Sequence, residues 1–93
     1  MNNKVYELEN GNGYIKEYDY FEDNLEFEGE YLNGKRNGKG KEYDRKCRLI
    51  FEGEYLNGKR NVKGKEYYTH GELRFEGEYL NGKKNGQWKT YYD

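Results

Sequence analysis

Side chains able to carry covalent or acid–base chemistry are scarce in this 93-residue chain. His70 is the only histidine, Cys47 the only cysteine, and serine is absent. A lone histidine completes neither a metal site nor a Ser-His-Asp set. His70 lies in the stretch THGE and reads as a solvated turn residue. Cys47 also falls in a turn, with no histidine in that turn to take its proton. It reads as an inert thiol, buried or half-exposed. Glutamates are many, but they recur as a regular ladder, the pattern of a solvated strand face rather than of an acid/base pair. The run NGKGK hints at phosphate binding, yet no strand–glycine loop–helix context surrounds it and turn chemistry explains it better. The expectation is no catalytic residue, no metal and no cofactor.

Aromatic rings are the chemistry that remains. The chain has 12 Tyr, 4 Phe and 1 Trp, and they fall at fixed intervals. Phe27, Phe51 and Phe75 form one ladder; Tyr31, Tyr55 and Tyr79 form a second; Tyr43, Tyr67 and Tyr91 form a third. The elements that carry them repeat as FEGEYLNGKRNGKGKEY, FEGEYLNGKRNVKGKEY and FEGEYLNGKKNGQWKTY, starting at residues 27, 51 and 75. A looser copy, YELENGNGYIKEYD, precedes them. A fixed period of this length means stacked supersecondary units.

Within each period, LEFEGEYL alternates: Leu25, Phe27, Gly29 and Tyr31 take one face, Glu26, Glu28, Glu30 and Leu32 the other. Asn33-Gly34 opens a hairpin turn, because both residues tolerate φ > 0, and the turn is predicted to run to Gly38. The returning strand is then residues 39–44, and residues 45–47 and 69–72 connect the units. Thirteen glycines interrupt any helical reading. The fold expected is all-β: an elongated, single-layer antiparallel meander of about eight strands. It forms one domain, residues 1–93, with a degenerate repeat at 4–24 and repeats at 25–48, 49–72 and 73–93. Each hairpin is marginal alone and is stabilised by its neighbours.

Bulk composition narrows the partners. Net charge is -1 from 17 basic and 18 acidic residues, so no global basic field attracts nucleic acid. The hydrophobic share of 32% and mean hydropathy of -1.52 would suggest disorder, but a share of 18% aromatics argues against it. Without a leader-like apolar run, a membrane-length segment or a cysteine pair, the chain reads as soluble and cytoplasmic.

The unit from Phe27 through Gly29, Tyr31, Gly34, Gly38 and Gly40 resembles the MORN repeat, including the MORN variant of bacterial YwqK-type antitoxins. The likeness covers residues 25–93 well and 4–24 loosely. Val62 departs from it at the Gly38 position, which predicts an altered or strained turn, and Trp88 departs at the Gly40 position. The resemblance implies a non-catalytic module that scaffolds proteins, binds peptides along an aromatic groove, or self-associates as a homodimer.

From the residues themselves, a one-layer sheet leaves an aromatic face open to a protein or peptide partner. The expected contacts are Phe27, Tyr31, Phe51 and Tyr55, continuing through Phe75, Tyr79 and Trp88. The bland alternative is that the rings only pack on one another. A second reading uses the turn residues Lys35, Arg36, Lys59, Arg60, Lys83 and Lys84 as a basic rim for anionic phospholipid. The resemblance to the bacterial variant implies a further reading, antitoxin-like neutralisation of a protein partner, which is a special case of the first. The last strand, aromatic and without proline, reads as an open edge, and the chain reads as a candidate piece of a longer array.

Overall fold

A computed structural model describes residues 8–9, 11–19 and 21–91. It is an all-β, eight-stranded open sheet in strictly sequential antiparallel order. The strands are β1 (Leu8–Glu9), β2 (Asn12–Tyr18), β3 (Leu25–Leu32) and β4 (Lys35–Tyr43), followed by β5 (Leu49–Leu56), β6 (Lys59–Tyr67), β7 (Leu73–Leu80) and β8 (Lys83–Thr90). Its extents of 39 × 27 × 17 Å are those of a ribbon one sheet thick.

The hairpin turns are shorter than the sequence suggested. Asn33 (φ 53°) and Gly34 (φ 80°) close β3 onto β4 by themselves, and Leu32 already pairs with Lys35. Two successive positive φ values give a turn whose twist matches the strands it joins. The returning strand therefore starts at Lys35, not Lys39. Asn37-Gly38 is not turn but bulge: Gly29 pairs with Gly40 while Tyr31 pairs with Arg36, so Glu30 faces three residues. Gly38 supplies the positive φ that the bulge needs, at 98°. Val62 keeps that conformation at φ 72° despite its branched Cβ, so the expected strain is present and sits in a bulge.

Neighbouring units are fastened at these turns. Gly34, Gly58 and Gly82 donate backbone N–H bonds to the carbonyls of Gly11, Arg36 and Arg60, one repeat back. Asn12 Oδ1 accepts from the Asn33 amide at 2.8 Å, and Asn37 and Asn61 do the same for Asn57 and Asn81. Each turn thus satisfies donors that would otherwise face only water.

The connections at the opposite end share one design. Asp44 Oδ1 accepts from the Lys46 and Arg48 amides, and the Asp44 amide donates to the Arg48 carbonyl. This loop holds Cys47 at φ 61° and pushes it outward, so the thiol is exposed rather than withdrawn. His70 occupies the equivalent loop one repeat later, stacked on Tyr68 at 5.2 Å with Nε2 3.1 Å from Glu72.

The core is a single file of rings on one face. Phe27 and Phe51 are fully buried, and Tyr55 and Tyr79 keep 4% of their surface. Each Phe meets the Tyr of the following repeat edge-on, Phe27 with Tyr55 at 5.3 Å and Phe51 with Tyr79 at 5.4 Å. Glycine makes this fit: a Cβ built on Gly40 would lie 2.6 Å from Phe27 Cε1 and 2.9 Å from Tyr55 Cε1. Where the slot is not glycine, the strand fills it. Trp88 pairs with Gly77 and packs against Phe75 and Tyr79, at 5.9 and 5.1 Å, taking the place the next Tyr holds elsewhere. Ile15, opposite Gly29 on β2, does the same in fully buried form.

Candidate functional site

The two faces of the ribbon differ completely, and strand pairing decides which residues share each. On the ring face, β4 carries Arg36 and Glu42, and β6 carries Arg60 and Glu66, opposite the aromatic strands. The two-residue bulge sets Arg36 opposite Tyr31, from where its guanidinium lies over Phe27 at 4.0 Å. Arg60 lies over Phe51 at 3.9 Å. A planar cation on an aromatic face contributes roughly 0.5–2 kcal/mol. It also removes the ring from water, which is how a single sheet buries a phenylalanine.

Each arginine is anchored by a glutamate from the preceding unit. Arg36 holds Glu17 through Nε and Nη2 at 3.0 and 3.1 Å, and Arg60 holds Glu42 at 3.0 and 2.9 Å. The same carboxylates accept a tyrosine hydroxyl: Tyr31 donates to Glu17, Tyr55 to Glu42 and Tyr79 to Glu66. Burial works against Glu42, but the hydrogen bonds from Arg60 and Tyr55 outweigh it and hold its carboxyl below the usual range. Burial and the bond to Glu17 push the Tyr31 hydroxyl up to about 12. Tyr55 and Tyr79 are raised further by burial and their own glutamates. In the third unit lysine replaces arginine. Lys84 sits 3.7 Å from the Phe75 centroid but reaches Glu66 only at 4.0 Å.

The seven aromatic residues expected to meet a partner are thus brought together, but as a core. Phe27, Phe51, Tyr55 and Tyr79 present almost no surface; Tyr31, Phe75 and Trp88 are half-buried. The expected basic rim is divided as well. Lys35, Lys59 and Lys83 are exposed, whereas Arg36 and Arg60 turn inward and are neutralised by carboxylates.

The other face is open. It holds a trough of about 790 Å³ that runs across the strands from Tyr14 to Lys89, floored by the backbone of Gly29, Gly40, Gly53, Gly64 and Gly77. Two rows of charge wall it. In one, Glu28, Lys41, Glu52, Lys65 and Glu76 pair in unbroken succession as far as Lys89. In the other, Lys39 pairs with Glu54 and Lys63 with Glu78. Tyr43 and Tyr67 donate hydroxyl bonds to Glu28 and Glu52, and Tyr91 donates to Glu76 at 3.1 Å, pinning the acids of the first row. The Tyr43 bond leads the effects that lower the Glu28 carboxyl. Leu32, Leu56 and Leu80 form a half-exposed apolar row near the Asn-Gly turns, on the same face.

A MORN repeat profile matches residues 27–46, 51–72 and 75–87, more than half of the chain. The chain belongs to the MORN-repeat family. No curated protein matches it at significance. MORN repeats are non-catalytic interaction modules as a class, and the open sheet of hairpins, one per repeat, is the architecture the resemblance implied. Among the described residues of this MORN protein, no cluster of His, Cys, Asp and Glu could hold a metal. Among the same described residues, no helix is long and apolar enough to cross a membrane. The sequence located the rings and the charges but not the trough, which emerges only when the pairing aligns the five glycines. The signal available beforehand was the strict Glu-x-Glu and Lys-x-Lys spacing of alternate strands.

Proposed function

We propose that this MORN protein is a non-catalytic interaction module that docks a polypeptide segment in the trough on its charged face. The observation that carries the reading is the contrast between faces. Arg–Glu pairs cover the aromatic face over Phe27 and Phe51, while the opposite face offers a continuous trough bordered by half-exposed leucines. Fixed charges with apolar shoulders suit a protein partner better than a small metabolite. An antitoxin-like neutralised protein would be one case of such a partner.

The test uses two variants. Glu54→Lys with Glu78→Lys reverses two of the three acids of the second wall, and Lys35→Ala with Lys59→Ala and Lys83→Ala removes the exposed lysines beside the Asn-Gly turns. Affinity capture should lose its specific partners with the first and retain them with the second. Equal retention by both removes the trough reading.

Peripheral binding of anionic phospholipid is the second reading, favoured by the exposed Lys35, Lys59 and Lys83 along one rim. Withdrawal of Arg36 and Arg60 removes two of the six charges it could use. Sedimentation with phosphatidylserine vesicles tests it: the lysine-to-alanine variant should lose any wild-type binding.

A further inference from the structure

The trough's charges repeat with a period that selects what can lie in it. Each strand places two like charges across the floor from one another. β3, β5 and β7 give acidic pairs (Glu28 with Glu30, Glu52 with Glu54, Glu76 with Glu78), and β4 and β6 give basic pairs. Like pairs recur every second strand, about 9.6 Å apart at normal strand spacing. The two signs nearly cancel, so a ligand of one sign gains at some pairs what it loses at the next. A complementary ligand must alternate in sign with the same period.

Chain geometries differ in how they meet that period. A polyproline II segment advances about 9.3 Å in three residues and returns the same side to the floor. A β-strand returns after about 6.7 Å, which falls out of step at once. An α-helix returns after seven residues and about 10.5 Å, an error about three times larger that accumulates along the sheet. With a basic side chain centred on each acidic pair, the two intervening residues flank each basic pair. Acidic residues therefore belong at those positions.

We infer that the trough recognises an extended polyproline II segment carrying a basic residue at every third position and acidic residues between. The inference rests on the trough being the docking site. The tyrosine bonds to Glu28, Glu52 and Glu76 support it independently, because they hold one wall of acids in fixed positions before any ligand arrives. The exposed walls leave the attraction open to screening, so binding weakens as salt rises.

Fluorescence anisotropy with synthetic labelled peptides tests the proposal. One peptide repeats lysine–proline–glutamate; two others of the same length carry lysines at every second or every fourth position, each with as many glutamates as lysines, so that all three are neutral. The full chain should bind the period-three peptide about tenfold more tightly than either control. Glu54→Gln with Lys63→Gln, whose circular dichroism should match wild type, should remove most of that preference. Equal affinities, or no binding by the period-three peptide, overturn the proposal. Binding that depends on the trough residues but not on spacing overturns the register and leaves the docking site standing. Equal binding to wild type and variant overturns the docking site as well. A chain that sediments as a dimer through this face, and as a monomer in the variant, has a second copy as its occupant and also overturns the proposal.

Discussion

The arginine that lies on Phe27, and its counterpart on Phe51, are the residues on which the ring face depends. Each converts an exposed ring into a buried one and satisfies a carboxylate that burial would otherwise penalise. Lys84 shows what is lost without a planar fork, since its nitrogen reaches Phe75 but makes only a distant contact with Glu66. Lys84→Arg is therefore expected to stabilise the chain by about 0.5–1 kcal/mol, read from the midpoint of urea unfolding. No change, or a loss, would argue that the stacked guanidinium is not the source of stability. The folded chain holds the Tyr31 and Tyr67 protons more tightly than an unfolded one, with both hydroxyls raised from 10.0 to about 12. Their stabilisation is complete below pH 10 and is lost as pH rises toward 12. Glu42 works in the other direction: its lowered carboxyl adds stability above its ordinary value of 4.5, and that stability fades as the medium becomes more acidic. Tyrosinate absorbance should rise cooperatively with loss of sheet signal between pH 10 and 12. Independent titration near pH 10 with the sheet intact would contradict this.

At the scale of the element, each hairpin combines a two-residue turn with a bulge. Val62 is the one bulge residue of the three repeats that is not glycine, and a branched side chain at φ 72° is strained. Val62→Gly should raise stability by about 1 kcal/mol, the relief of strain exceeding the added freedom of the unfolded chain. A lower Tm for the variant would mean that the valine side chain packs usefully. Much of this element was legible beforehand. Alternation in LEFEGEYL placed Phe27 and Glu28 on opposite faces, and Asn33-Gly34 marked the turn. The end of the turn is not legible in the same way, because Asn37-Gly38 has the composition of a turn while serving as a bulge. Local residue types do not separate the two; the pairing of Tyr31 with Arg36 does. The fate of the rings was hidden for a related reason. A stripe of Phe and Tyr looks the same whether open or capped, and only the register brings Arg36 over Phe27.

For the whole molecule, repetition turns one hairpin's arrangement into two continuous surfaces: a closed file of rings and an open charged trough. Trp88 and Ile15 show that the ring file tolerates departures from glycine where a strand's own side chain fills the slot. Which face is open decides where a partner can dock. Side-chain NMR of the full chain with a soluble gadolinium chelate measures that directly. The expected result is strong relaxation of the Lys39, Glu54 and Lys63 side chains and little at the Phe27 and Phe51 rings. Equal relaxation of those rings would contradict it, because the aromatic face would then be open and the trough would lose its claim as the docking surface.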